Sequence, residues 1–144
     1  MDYFLSTTIS ILMVSLCIVI HYEVLNYLSR LIHNPRRHRW MIILMMHGLL
    51  LAHVLEVWIF GLGHYAATQW LNLGTVHLLE NGEISAFFDH IYYSAMVYTT
   101  VGFGDMVPSG AIRMMTSTEA VSGLALIAWS ASFTFLQMQR IWKQ

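Results

Sequence analysis

The sequence predicts an all-α membrane protein with three spanning helices per chain and a short helix-and-loop segment that enters the membrane without crossing it. Three observations carry this. The 144 residues are 57% hydrophobic and 10% charged, whereas an ordinary soluble domain carries about 25% charged residues. Three apolar stretches, Tyr3 to Leu28, Trp40 to Gly63 and Met114 to Met138, reach the roughly 20 residues a spanning helix needs. A fourth, Asp89 to Thr99, is apolar and aromatic but too short to span. It suits a re-entrant segment or a helix lying on the outer leaflet, and hydropathy alone does not separate the two.

The first span is uninterrupted to Ile20 and then carries His21 and Glu23 near one end. The chain start, Met1-Asp2-Tyr3, lacks the basic region of a signal peptide, so this stretch is expected to be retained. It also lacks the regular arginines of a voltage sensor. Cys17 sits inside the apolar run, gives no zinc pattern and is expected to pack. Four of the seven basic residues, Arg30, Arg36, Arg37 and Arg39, lie in the short connection to the second span, and Arg140 and Lys143 follow the third. Basic residues gather in short cytoplasmic loops. This predicts a cytoplasmic C-terminus, an outside N-terminus and an outside segment from His64 to Arg113, with Arg30 or Arg36 able to pair with Glu23. The formal net charge of −1 points to no partner, nucleic acid included.

The domain reading is one added helix with its basic loop, 1–38, followed by a unit of 39–144. In that unit an outer helix (40–63) leads to an extracellular segment (64–84), a short helix (85–99) capped by Ser85, a loop (100–105) and an inner helix (114–138). The loop reads Thr100-Val101-Gly102-Phe103-Gly104-Asp105, with Pro108 beyond it. Two glycines one residue apart make poor helix, and they permit the backbone angles that turn successive carbonyls one way. At membrane depth such backbone is tolerated only where it is buried in protein or lines a water-filled path.

Set between two spans, Thr-Val-Gly-Phe-Gly-Asp resembles the pore module of the potassium-channel superfamily, in its small prokaryotic branch, over about residues 40–138. The likeness includes Pro108 and Gly123. In that family a Thr-Val-Gly-Tyr-Gly loop replaces the ion's hydration shell with rings of carbonyls. The resemblance implies that Thr100 supplies a carbonyl and a hydroxyl to the innermost potassium site. Val101, Gly102 and Phe103 would supply the rings above it, and Gly104 the outer mouth. It implies that Asp105 stands behind the filter, where Tyr92 matches the usual pore-helix partner, and that Gly123 is the inner-helix hinge. Phe103 departs from the tyrosine that braces many filters, and Met96 stands where some relatives carry glutamate. No cofactor is implied beyond potassium as the permeant ion. One chain holds one filter strand, so a homotetramer in a lipid bilayer, in the cytoplasmic membrane, is expected.

Polar residues within spans are functional suspects. His47, His53 and Glu56 lie in the second span, with His53 and Glu56 on one face. They suit a structural brace, a link between gating and pH, or metal ligands. Glu119, one turn before Gly123, is expected to bond behind the filter rather than face the pore. Ile127 and Ala131, with Ser130 or Thr134, are expected to line the pore. Asp89 and His90 suit capping and interface roles, and Glu80, Glu83 and Asp105 would add negative charge at the outer mouth. The leading expectation is a potassium-selective channel subunit and not an enzyme. Its rivals are a weakly selective or nonconducting cation channel and a membrane-embedded enzyme with a metal on His47, His53 and Glu56.

Overall fold

The computed structural model describes residues 1–31, 38–79 and 82–142. Three long helices dominate: α1 (Asp2–Leu31), α2 (His38–Gln69) and α4 (Ile112–Trp142), with the 12-residue α3 (Phe87–Tyr98) between the last two. Three short strands complete the fold: β1 (Gly74–Leu78), β2 (Gly82–Glu83) and β3 (Met106–Gly110). The long helices have 30, 32 and 31 residues. At 1.5 Å per residue each reaches about 45 Å, beyond the roughly 30 Å of a bilayer's hydrocarbon. All three are long and apolar enough to cross a membrane. Arg36, Arg37, Glu80 and Lys143, which carried part of the charge reading, lie outside the described residues.

Each long helix buries one stripe and leaves the rest outward. On α1 the buried residues are Ser6, Ser10, Cys17, His21, Leu25 and Leu28, spaced by fours, a seven and a three, as one helical face requires. The stripe of α2 runs Met45, Leu49, Ala52, Glu56, Phe60, His64 and Ala67. Two serines on the α1 stripe bond to backbone, as buried polar groups generally do: the Ser6 hydroxyl donates to the Ala111 carbonyl (2.8 Å) and that of Ser10 to the Ser6 carbonyl (2.7 Å). Cys17 packs with Phe60, Tyr98 and Leu126, a plain core position.

The sheet corrects the all-helical expectation, and α2 runs on to Gln69 rather than ending near Gly63. The strand order is β2-β1-β3, antiparallel throughout. Thr75-Val76-His77-Leu78 favours a strand, and Val76 is fully buried beneath it, against Leu73, Ile84 and Ile112. Pro108, paired with Val76, sits on the outer strand β3, where a residue with no N–H costs the ladder nothing. β3 therefore anchors the chain directly after the 100–105 loop. The Leu79 N–H donates to the Asp105 carbonyl (3.0 Å) at the same junction.

Ser85 does not cap α3. The N-cap is Ala86, in extended conformation and without a side-chain cap bond. The first turn is held instead by His90, whose Nδ1 donates to the Ala86 carbonyl (2.9 Å) while Nε2 faces the Thr68 hydroxyl (2.9 Å).

Candidate functional site

Residues 99–105 leave the end of α3 as a non-helical loop between α3 and β3. Positive φ recurs at every second residue: Thr100 (+58°), Gly102 (+49°) and Gly104 (+81°). A Cβ on either glycine would meet nothing within 4 Å, so glycine is required there by backbone conformation and not by crowding. Thr100 has no such licence, and left-handed backbone costs a non-glycine residue about 1–2 kcal/mol. Two bonds back to α3 hold the strained turn: Thr100 N–H to the Val97 carbonyl (3.0 Å) and Gly102 N–H to the Met96 carbonyl (3.2 Å). The side chains of Val101 and Phe103 are 53% and 69% exposed in the single chain.

Two buried polar clusters lie among the helices. In one, Glu119 of α4 is fully buried. It bonds His64 Nε2 of α2 (2.6 Å) and accepts from the Ser94 hydroxyl of α3 (2.5 Å). Tyr93 packs edge-on against the His64 ring and bonds Thr116 (2.8 Å). Glu119 thus ties α2, α3 and α4 together. His64 was not singled out in the sequence, yet it lies on the stripe of Glu56 and Phe60, at steps of four.

In the other cluster, Glu56 is fully buried and meets His21 of α1 (Nδ1 to Oε1, 2.8 Å), His53 (Nδ1 to Oε2, 3.1 Å) and the hydroxyl of Tyr98, the last residue of α3. Ser130 of α4 closes the ring, 3.0 Å from His53 Nε2 and 3.1 Å from His21 Nε2. His21, which the sequence placed only near one end of the first span, is the buried partner of Glu56, because it lies on the α1 stripe while Glu23 is exposed. Two expectations are corrected. His47 does not join His53 and Glu56; six residues from His53 it falls on an exposed face, and its Nδ1 bonds the Ile43 carbonyl (2.8 Å). Ser130 is 7% exposed and belongs to the ring, so it is not free to line a pore.

The remaining site residues are placed as follows. The Tyr92 hydroxyl donates to Asp105 Oδ2 at 3.3 Å on the surface, longer than the 2.5–3.0 Å of a good O–H···O bond. Partial desolvation first, and the Asp105 carboxylate second, raise the Tyr92 phenol above its ordinary pKa, so it remains a donor. A Cβ on Gly123 would overlap the Tyr98 carbonyl oxygen and lie 3.0 Å from the Tyr98 ring. Close packing of α4 on α3 therefore explains this glycine without a hinge. Ile127 and Ala131 lie on the outward side of α4 in the single chain.

Compared with known proteins, residues 52–140, more than half of the chain, match a family model described as ion channel. No curated protein and no solved structure matches the chain.

Proposed function

Because the chain belongs to the ion channel family, we propose that this multi-pass membrane protein is one subunit of a homotetrameric channel selective for potassium. α3 is its re-entrant pore helix, residues 100–105 its filter and α4 its inner helix. One observation carries the reading: positive φ at Thr100, Gly102 and Gly104, alternating with ordinary residues along Thr-Val-Gly-Phe-Gly. Alternating handedness turns successive carbonyls to the same side of a strand. Four such strands around an axis give stacked oxygen rings that replace the hydration shell of a dehydrated potassium ion.

In this mechanism the Thr100 carbonyl and hydroxyl form the innermost site, and the carbonyls of Val101, Gly102 and Phe103 form those above it. The chain's other polar groups hold these oxygens in place: β3 at the outer end, Glu119 behind, and the Glu56 ring at the base through Tyr98. The exposed side chains of Val101 and Phe103, with Val121 and Leu124, favour a neighbouring subunit, since contiguous exposed apolar surface marks an interaction site. α1, outside the family match, is a peripheral helix that with the basic connection makes up residues 1–38, around a pore unit of 39–144. The basic connection after α1 is cytoplasmic, which puts the N-terminus outside and the C-terminus inside the cytoplasmic membrane.

The test is flux into liposomes containing the purified protein. Potassium-loaded vesicles should support uptake of a tracer potassium analogue, and an inward sodium gradient should drive little. Equal uptake driven by the two ions would favour a weakly selective pore, and no uptake of either a nonconducting one.

A further inference from the structure

We propose that His21, His53 and Glu56 form a binding site for a divalent transition-metal ion of the zinc class. The three side chains each bring one ligand atom to within 4.8 Å of the others. Donors about 2.0–2.2 Å from a shared zinc ion lie at most about 4 Å apart, so closure needs side-chain shifts of about an ångström. Two imidazoles and one carboxylate are donors that zinc accepts, with a fourth position left open. The ligands come from two helices, α1 and α2, with His21 and Glu56 35 residues apart in sequence. Two of them are fully buried, while the His53 side chain remains 19% exposed and gives the ion a way in.

The orientation of the rings favours a metal. Both histidines turn Nδ1 to the Glu56 carboxylate and Nε2 to the same oxygen, Ser130 Oγ. A metal-bound histidine characteristically donates its other N–H to an acceptor beside it, and that bond fixes the ring. Ser130 Oγ has two lone pairs, enough for both Nε2–H groups. Its own hydrogen is then free for a carbonyl of its helix. Glu56 binds the ion through Oε1 and keeps the Tyr98 hydroxyl on Oε2.

The hydrogen count makes the same point. With Glu56 ionised and both imidazoles neutral, the cluster holds one hydrogen each from His21, His53, Ser130 and Tyr98, against six contacts, the sixth being His53 Nδ1 to the Tyr98 hydroxyl (2.9 Å). Two contacts are then left without a hydrogen of their own, which a buried site does not tolerate cheaply. Either an added cation or an added proton relieves the shortage. A divalent ion takes both Nδ1 lone pairs at once, and it also offsets the Glu56 charge within the apolar span. A proton makes good only part of the count. The loaded site ties α1 to the last residue of α3, two residues before Thr100, and does not depend on which ion the loop passes.

The experiment uses the full-length chain, stripped with a chelator and purified in detergent. Zn2+ is titrated by calorimetry, and Co2+ serves as a spectroscopic probe of tetrahedral nitrogen and oxygen ligands. One Zn2+ per chain and tetrahedral Co2+ bands are expected. His21→Gln should lower affinity more than about 100-fold, and Ser130→Ala, which leaves every ligand in place, about 10–100-fold. His47→Gln should change nothing. Should His21→Gln fail to fold, the thermal shift on adding Zn2+ decides: large in the wild type and in His47→Gln, reduced in Ser130→Ala. Absence of binding, or binding indifferent to both His21→Gln and Ser130→Ala, would overturn the proposal and leave a proton as the sole occupant of the ring.

Discussion

At the residue scale, the loop depends on backbone angles and its supports on buried charge. Gly102 and Gly104 have open space around them and positive φ. An alanine at either position carries a backbone cost of about 1–2 kcal/mol in every subunit. Gly102→Ala is expected to leave assembly intact, as read by size-exclusion chromatography, and to abolish single-channel conductance; unchanged conductance would mean that these angles do not build the ion path. Among the helices, Glu119 is the fully buried partner of His64 and Ser94. Breaking one side of a buried pair typically costs about 3–5 kcal/mol, so Glu119→Leu should lower the thermal unfolding temperature strongly. Tyr92→Phe should lower it little, because the contact it removes is long and exposed. The reverse ranking in one thermal-shift series would contradict the roles given to the two residues. The sequence drew attention to Glu119 but named neither of its partners, His64 and Ser94. The cue was present in His53, Glu56, Phe60 and His64, which share one face of α2. A hydroxyl such as Ser94 or Ser130 gave no cue, since serine is equally common on faces that bury nothing.

At the element scale, the three long helices were legible because hydropathy over twenty residues is a strong signal, and helix ends were not. α2 outruns its apolar stretch by a turn and a half, held by backbone bonds that hydropathy does not record. The sheet was missed for a related reason. β1 and β2 have five and two residues, too few for a period to emerge, and the pairing of β1 with β3 spans about thirty residues of sequence. α1 was legible as a span and silent as to purpose. Its stripe supplies the purpose: Ser6 holds the Ala111 carbonyl at one end and His21 holds Glu56 in the middle. Deleting residues 1–31 should therefore lower thermal stability and shorten open times while leaving ion preference intact. His21→Ala should reproduce part of both effects, because it leaves Glu56 without a partner from α1. A truncated protein with normal open times, or one that conducts without its ion preference, would refute this role.

At the scale of the whole molecule, the single chain is an incomplete object. Apolar side chains of the loop and of α4, among them Val101, Phe103, Val121 and Leu124, face outward, and a closed ring of identical subunits would cover those nearest the axis. Cross-linking of detergent-solubilised protein should end at four chains; a ladder stopping at two would exclude a pore lined by four loops. The loop at 100–105 was the most legible feature in the sequence, since six residues between two spans sufficed to suggest it. The ring of His21, His53, Glu56, Tyr98 and Ser130 was the least legible, because its members come from four helices that only the fold brings together. The central claim is that this loop passes potassium in preference to sodium. The most direct measurement is the reversal potential of single channels in planar bilayers with potassium on one side and sodium on the other. A strongly displaced reversal potential, toward the value set by potassium alone, is the expected result. A reversal potential at zero, with currents carried equally by both ions, would contradict it.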